Sequence, residues 1–327
     1  MIITRSPLRI TLGGGGTDLP FYYRQFGGFC ISAAIDKYVY ITIHDPFAEE
    51  LIIKYSRMER VSKIDEIQHP LIREALILTG HDGGGLEIAS MSDIPAGTGL
   101  GSSGSFLTAL LLGLHLRKKA IIPKQQLAEE ACHIEIDQLR EPIGKQDQYI
   151  AAFGGITCFE FCANGEVKVE PLQLSARTQA NLEDNLILFY TGYTRSASEM
   201  LRDQMAKSSQ ADAFVMENLH FIKQVALETK AALERGDLRQ FAALMQTQWE
   251  YKKRRSKSAS NTAIDTWYEL ACNNGALGGK LVGAGGGGFL LFYAEDKTRL
   301  RNAMVDSGLR EVRMRFDFQG SILVTQS

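Results

Sequence analysis

Paired cysteines, a zinc-ligand set, a membrane-length apolar run and any sizeable net charge are all missing from this chain. Its five cysteines (Cys30, Cys132, Cys158, Cys162 and Cys272) form no Cys-x-x-Cys pair. Cys158 and Cys162, four residues apart on an expected strand, would stand about 13 Å apart, beyond disulfide reach. The six histidines are scattered, so no zinc set is visible. A reduced, cytoplasmic protein is the expectation. The longest apolar run, near 106–114, is too short to span a bilayer, so no membrane partner is expected. The opening MIITRSPLRITL lacks the charged leader and cleavage site of a signal peptide. A net charge of −2 gives no general attraction for nucleic acid. Gly-Lys-Ser/Thr never occurs, which excludes the Walker phosphate loop. No internal repeat, low-complexity tract or flexible linker interrupts the chain, so its domains should pack closely around a ligand cleft.

With 327 residues, 45% hydrophobic and 23% charged, the composition is that of an ordinary globular protein of about two domains. The first half alternates strand and helix signals. Strands are expected at 2–12, 29–35, 38–44, 50–55 and 86–91, and helices at 104–118 and 123–139. Strands 156–161, 167–172 and 186–190 follow. The second half carries long helical patterns at 211–235, 238–252 and 262–274, with Asp237 and Asn261 as N-caps. Strands 288–295, 312–318 and 321–326 close the chain. This predicts an α+β protein with domains at 1–180 and 181–327.

The most informative run is IPAGTGLGSSGS, residues 94–105. Glycines there let the backbone approach a ligand closely, and the helix that follows offers free N–H groups to an anion. Pro95, Gly97, Gly99, Leu100, Gly101, Ser102, Ser103 and Gly104 are therefore candidate nucleotide-phosphate contacts. Gly99 to Gly104 also fits the dinucleotide pattern G-x-G-x-x-G, but helical patterns fill 106–118 and 123–139 after it and leave no strand to carry a ribose-binding acid.

Two further glycine-rich motifs flank this one: PLRITLGGGGTDLP (7–20) and KLVGAGGGGFLLFY (280–293). The three in this order resemble the signature motifs of the GHMP small-molecule kinases across nearly the whole chain. The resemblance implies an N-terminal domain like ribosomal protein S5 and a ferredoxin-like C-terminal domain. It also implies ATP and Mg²⁺, a sugar or sugar-phosphate substrate, and a monomer or homodimer. Within the family, the opening segment through GGFCISAAIDKYVYITIH is most similar to D-glycero-α-D-manno-heptose 7-phosphate kinases and related fucokinase domains. The implied reaction phosphorylates the anomeric hydroxyl, giving a 1,7-bisphosphate used for nucleotide-activated heptose and surface polysaccharide. An L-fucose or other hexose 1-kinase stays open, as does a non-catalytic sugar- and ATP-sensing regulator on the same fold.

Carried over by position, the resemblance makes Ser103, with Ser102 beside it, and Glu135 the Mg²⁺ ligands. Asp147 becomes the catalytic base and Arg9 its basic partner. Asp18, next to Thr17, becomes the holder of sugar hydroxyls. The residue types suit the chemistry: a hard cation wants oxygen ligands, and a hydroxyl nucleophile benefits from a carboxylate base. A cation nearby favours charge developing on the transferring group. Galactokinases carry Glu-His before this Thr-Asp; here Gly15-Gly16 stands instead, opening the sugar pocket to a bulkier or phosphorylated sugar. A substrate phosphate would need a counter-charge, with Arg195, Lys252 and Lys253 as candidates.

Taken singly, these residues also have plainer readings. Arg9 and Asp18 would flank a hairpin, Glu135 would join Glu129 and Glu130 on a solvated helix face, and Asp147 would cap a turn. The run KKRRSKS (252–258) reads equally as a solvated helix end. The glycines at 283–288 are expected to let a strand approach the phosphate loop.

Overall fold

A computed structural model describes residues 1–81, 84–193, 213–256 and 258–327. Its frame is set by two long strands, β1 (Ile2–Gly14) and β2 (Gly28–His44). They pair antiparallel, with Arg9 opposite Ala34 and a register shift between Pro7 and Leu8. Proline cannot donate to a ladder, and a shift at that point absorbs the missing bond. The two strands expected at 29–35 and 38–44 are thereby one. Between β1 and β2 lies α1 (Pro20–Phe26), opened by its proline.

The chain continues through β3 (Leu51–Lys54), β4 (Met58–Val61), α2 (Pro70–Leu78) and β5 (Leu86–Ser92). Next come α3 (Ser102–Arg117), α4 (Lys124–Cys132), a π-helical segment (His133–Gln138) and α5 (Gln146–Phe153). Strands β6 (Ile156–Phe161) and β7 (Val167–Pro171) and helix α6 (Ala176–Asn185) complete this half. The sheet runs β12-β1-β2-β5-β3-β4, with β6 on the other part of β2 and β7 on β6. Helix α3 lies on it closely enough for the buried Thr4 hydroxyl to donate to the Ala109 carbonyl at 2.7 Å.

The second half contributes β8 (Leu186–Tyr190), α7 (Ala213–Glu234), α8 (Leu238–Arg255), α9 (Thr262–Asn273), β9 (Ala276–Leu281), β10 (Phe289–Ala294), α10 (Lys297–Asp306) and β11 (Arg310–Val312). Asp237 and Asn261 cap α8 and α9 through Gln240 and Ile264, as their side chains predict. The four strands form an antiparallel sheet in the order β11-β8-β10-β9, the ferredoxin-like arrangement. The last strand, β12 (Ile322–Gln326), returns to the first sheet and pairs with β1. A cut at 180/181 would thus fall inside α6, and the final strand belongs to the sheet of the first half.

The strand expected over 312–318 ends at Val312, leaving an isolated bridge between Ile35 and Phe316. The reason is local. Asp317 Oδ1 accepts from the backbone N–H of Gln319 and Gly320, at 3.0 and 2.8 Å, and that closes a turn. Helices α2, α5 and α10 and strands β4 and β9 were not evident from periodicity; apart from the ten-residue α10, none exceeds nine residues. All five cysteines are free, and among the described residues no helix is long and apolar enough to cross a membrane.

One bare position fixes how α8 meets the second sheet. A Cβ on Gly278 of β9 would run into the backbone carbonyl of Ala242 on α8. Gly278→Ala is expected to lower stability by about 1–3 kcal/mol through overpacking, read as a reduced midpoint in denaturant titration. An unchanged midpoint would mean that α8 is free to move off the sheet.

Candidate active site

The phosphate-loop candidate runs from β5 into α3. Gly97, Gly99 and Gly101 all have left-handed φ, 75°, 81° and 78°. Only glycine takes this backbone three times in five residues without strain. Gly99 has a second reason to be bare: a Cβ there would stand 2.8 Å from the Val282 carbonyl, and one on Gly283 would stand 2.5 Å from Gly99 Cα. Gly288 is bare against the Thr98 carbonyl. The third glycine motif therefore lets its strand approach the loop backbone to backbone, as expected. Ser102 and Ser103 open α3, and Gly97, Gly99, Gly101, Ser102 and Ser103 line a cleft of about 530 Å³. Pro95, Leu100 and Gly104 do not line it. Leu100 accepts from the Arg9 backbone N–H at 3.0 Å, and Gly104 gives α5 room to pack its Asp147 backbone against α3.

Asp147, in the first turn of α5, faces this loop. Arg9 from β1 grips both its oxygens, Nε to Oδ1 at 2.7 Å and Nη2 to Oδ2 at 2.8 Å. The remaining Arg9 nitrogen, Nη1, donates to the Gly99 carbonyl. Asp18 is near enough to feel the charge of Asp147. It accepts from the Gly16 N–H at 2.9 Å and the Gln146 N–H at 3.3 Å. Burial, and then the charge of Asp147, push the Asp18 carboxyl up from its ordinary value. Gly15, Gly16 and Asp18 line the cleft. Thr17 is buried and structural: its hydroxyl donates to the Phe29 carbonyl and accepts from the Phe29 N–H.

Glu135 enters from the π-helical segment, a helix form that often marks functional sites. It is 2% exposed and accepts from the Gln148 amide at 2.5 Å. The Ser103 hydroxyl also bonds to it. Burial pushes its carboxyl up to about 7.

Among the described residues, four cations close the cleft: Arg9, Lys252, Arg255 and Lys280. Burial drives the Lys252 ammonium well below its ordinary range, helped by Arg255, Lys280 and Arg9. Burial likewise brings Lys280 down to about 7, helped by Arg9. Of the three residues named for a substrate phosphate, Lys252 lies in the cleft. Lys253 does not: one residue further round α8, it pairs with Glu250 at 3.1 Å and lies over the Trp249 and Tyr268 rings. Arg195 lies outside the described residues. Arg255, Lys280, Gln146 and Gln248 also line the cleft and were not singled out. For Arg255 the signal existed in KKRRSKS, because residues three apart on a helix share a face. Lys280 opens the third glycine motif, but nothing in that motif predicts that its strand turns the ammonium into the cleft.

Known proteins bear on this geometry. Residues 70–155 match the model of the GHMP kinases N terminal domain, and residues 229–308 that of the GHMP kinases C terminal domain. The chain is 31% identical over 320 residues to a D-glycero-alpha-D-manno-heptose 7-phosphate kinase of Campylobacter jejuni, covering 92% of this chain and 91% of the relative. The chain belongs to the GHMP kinases. It is also similar to a solved D-glycero-D-manno-heptose 1-phosphate kinase from Bacteroides thetaiotaomicron, with TM-score 0.83, 26% identity and full coverage of both chains. An L-fucokinase/L-fucose-1-P guanylyltransferase of Bacteroides fragilis is 28% identical over 93% of this chain, which spans 36% of that longer protein. A GHMP sugar kinase is a phosphotransferase with an alcohol acceptor that uses ATP.

The upward shift of Glu135 has a consequence for stability. Its folded pKa of about 7 lies above the ordinary 4.5. The folded chain therefore holds an extra proton between those values, and stability falls as pH rises through that window. Glu135→Gln removes this slope. Relative to the parent, its melting temperature is expected to rise between pH 4.5 and pH 8. Parallel melting curves for the two proteins across that range would show that Glu135 does not titrate upward.

Proposed function

We propose that this kinase transfers the γ-phosphoryl group of ATP to the anomeric hydroxyl of D-glycero-α-D-manno-heptose 7-phosphate, forming the 1,7-bisphosphate. The observation that carries the reaction type is the position of Asp147. It is packed against the glycine loop at Gly101 and Gly104 and lies close enough to Asp18 for its charge to act there. A hydroxyl held by Asp18 can hand its proton to Asp147 while facing a phosphoryl group cradled by the loop. Arg9 fixes the orientation of that base through two parallel bonds and adds positive charge where negative charge develops on the transferring group.

The residues fit a magnesium nucleotide. Glu135 and Ser103 are oxygen donors in contact, at the mouth of a loop built to admit phosphate. Mg²⁺ is commonly held by one or two carboxylates plus substrate phosphates. Among the described residues no cluster of three or more His, Cys, Asp or Glu side chains could hold a metal by itself, in keeping with a cation that arrives with the nucleotide. When bound, Mg²⁺ would neutralise charge on the β- and γ-phosphates. Glu135, Ser103 and the loop N–H groups would position it and them.

Two observations favour a phosphorylated heptose. The Campylobacter relative, matched along nearly its whole length, bears that substrate in its name. Gly15 and Gly16 also leave the sugar end of the cleft without side chains. The likeness to the L-fucokinase domain favours a second reading, an L-fucose or other hexose 1-kinase. A panel of heptose 7-phosphate, free heptose, L-fucose and galactose with ATP separates them, with the product position read by phosphorus NMR. Heptose 7-phosphate is expected to give the highest kcat/KM, and a higher value for L-fucose would install the second reading. Asp147→Asn is expected to cut kcat by about 10²–10⁴-fold while nucleotide binding persists. Near-parental turnover would remove Asp147 from the role of base.

A further inference from the structure

Three of the four cations in the cleft are engaged by protein oxygens. Arg9 grips Asp147 and the Gly99 carbonyl. Lys252 donates to the carbonyls of Leu281 and Gly283. Lys280 donates to the Leu12 carbonyl at 3.3 Å and to Gln248 Oε1 at 3.4 Å. Arg255 differs. Its guanidinium is buried, and among the described residues nothing accepts a hydrogen bond from its Nη1. The acid that acts on it is Asp18, whose oxygens already accept from the Gly16 and Gln146 N–H groups. A buried guanidinium nitrogen without an acceptor is costly and calls for an explanation.

Its position supplies one. Arg255 Nη1 and Nη2 lie 3.2 and 3.3 Å from where a Cβ on Gly16 would stand. Gly16 has φ of 87°, so its backbone resists any side chain, and the gap that this leaves before the guanidinium is bounded on another side by Leu219, whose Cδ2 also stands 3.2 Å from that position. Arg255 is thus beside the first glycine motif and Asp18, at the sugar end. The phosphate loop meets Val282, Gly283, Arg9 and Asp147 instead. Lys252, one helical turn earlier on the same face of α8, brings a second basic side chain to the cleft.

We propose that Arg255 is a specificity-determining residue whose free guanidinium edge, opened by Gly15 and Gly16, receives the phosphate group of the sugar substrate. This rests on the reading of the substrate as a sugar phosphate. The planar fork matches phosphate oxygens, and burial strengthens a charge-assisted bond. Asp18, the carboxylate nearest the incoming anion, is turned toward backbone N–H groups that offset its charge. Lys253, in the same basic run, faces away and takes no part.

The test compares the parent with Arg255→Gln and Arg255→Lys, using heptose 7-phosphate, free heptose and ATP as varied substrates. Arg255→Gln is expected to raise KM for heptose 7-phosphate about ten- to a hundredfold. The preference for the phosphorylated over the free sugar should shrink by a similar factor, while KM for ATP moves far less. Arg255→Lys keeps the charge but loses the fork and should fall between. If Arg255→Gln does not fold, the same preference ratio is read on Arg255→Lys. An equal rise for both sugars would make Arg255 a merely structural residue and overturn the proposal. A rise confined to ATP would assign it to the nucleotide and overturn it likewise. If the parent prefers the phosphorylated sugar and the variants keep that preference, the proposal fails and the substrate reading stands. If the parent shows no such preference, the substrate reading fails first and the proposal falls with it.

Discussion

The fork of Arg9 on Asp147 is the joint on which the cleft depends. Arg9 is 6% exposed, and one side chain ties three separate parts of the chain. Its guanidinium reaches α5 through Asp147 and the glycine loop through Gly99, while its backbone N–H reaches Leu100. Losing Asp147 would leave the buried Arg9 guanidinium without its carboxylate, whereas Asp147 itself is partly open to solvent. The pair also explains why Gly101 is bare: a Cβ there would press on Arg9 Cγ at 3.1 Å and Asp147 Cγ at 3.3 Å. The glycine serves the ion pair as much as it serves a ligand.

Around that joint the cleft holds charges that the protein alone does not settle. Asp18 and Glu135 are pushed up, and Lys252 and Lys280 are pushed down, each first by burial. Every one of these shifts disfavours the charged form. Functional clefts are where such shifts collect, because a ligand of the right charge supplies the missing partner. The groups come from different elements, though Asp18 stands beside Arg255. Glu135 faces Ser103 at the head of α3, whereas Lys252 and Arg255 come together from α8.

The glycine motifs were legible in the sequence for a physical reason, and the three carboxylates Asp18, Glu135 and Asp147 through the resemblance that those motifs carry. Glycine and a loop-opening serine have few other uses in such density, and the order of the three motifs is itself information. What stayed hidden depended on long-range packing. The return of Ile322–Gln326 to β1 has no local signal, because any strand of that composition could join either sheet. Asp317 turned an expected strand into a turn through two backbone bonds, a competition that propensity does not resolve. Lys253 and Arg255 sit two residues apart in one basic run, yet only the register of α8 against β9 decides which of them faces the ligand.

That register rests on bare backbone. Gly278 lets β9 touch the carbonyl of Ala242, which fixes the height and rotation of α8 over the second sheet. Residues 252 and 255 then point to one side, into a cleft whose other wall belongs to the first sheet. Gly283 and Gly99 meet across the same seam, so the third motif holds the second sheet against the loop without any side chain between. Cation placement, loop shape and the seam between the two sheets are therefore one packing problem. A side chain added at any of these glycines would move the ligand-binding charges together with the fold. This is why the glycines cluster at the seam as well as around the ligand.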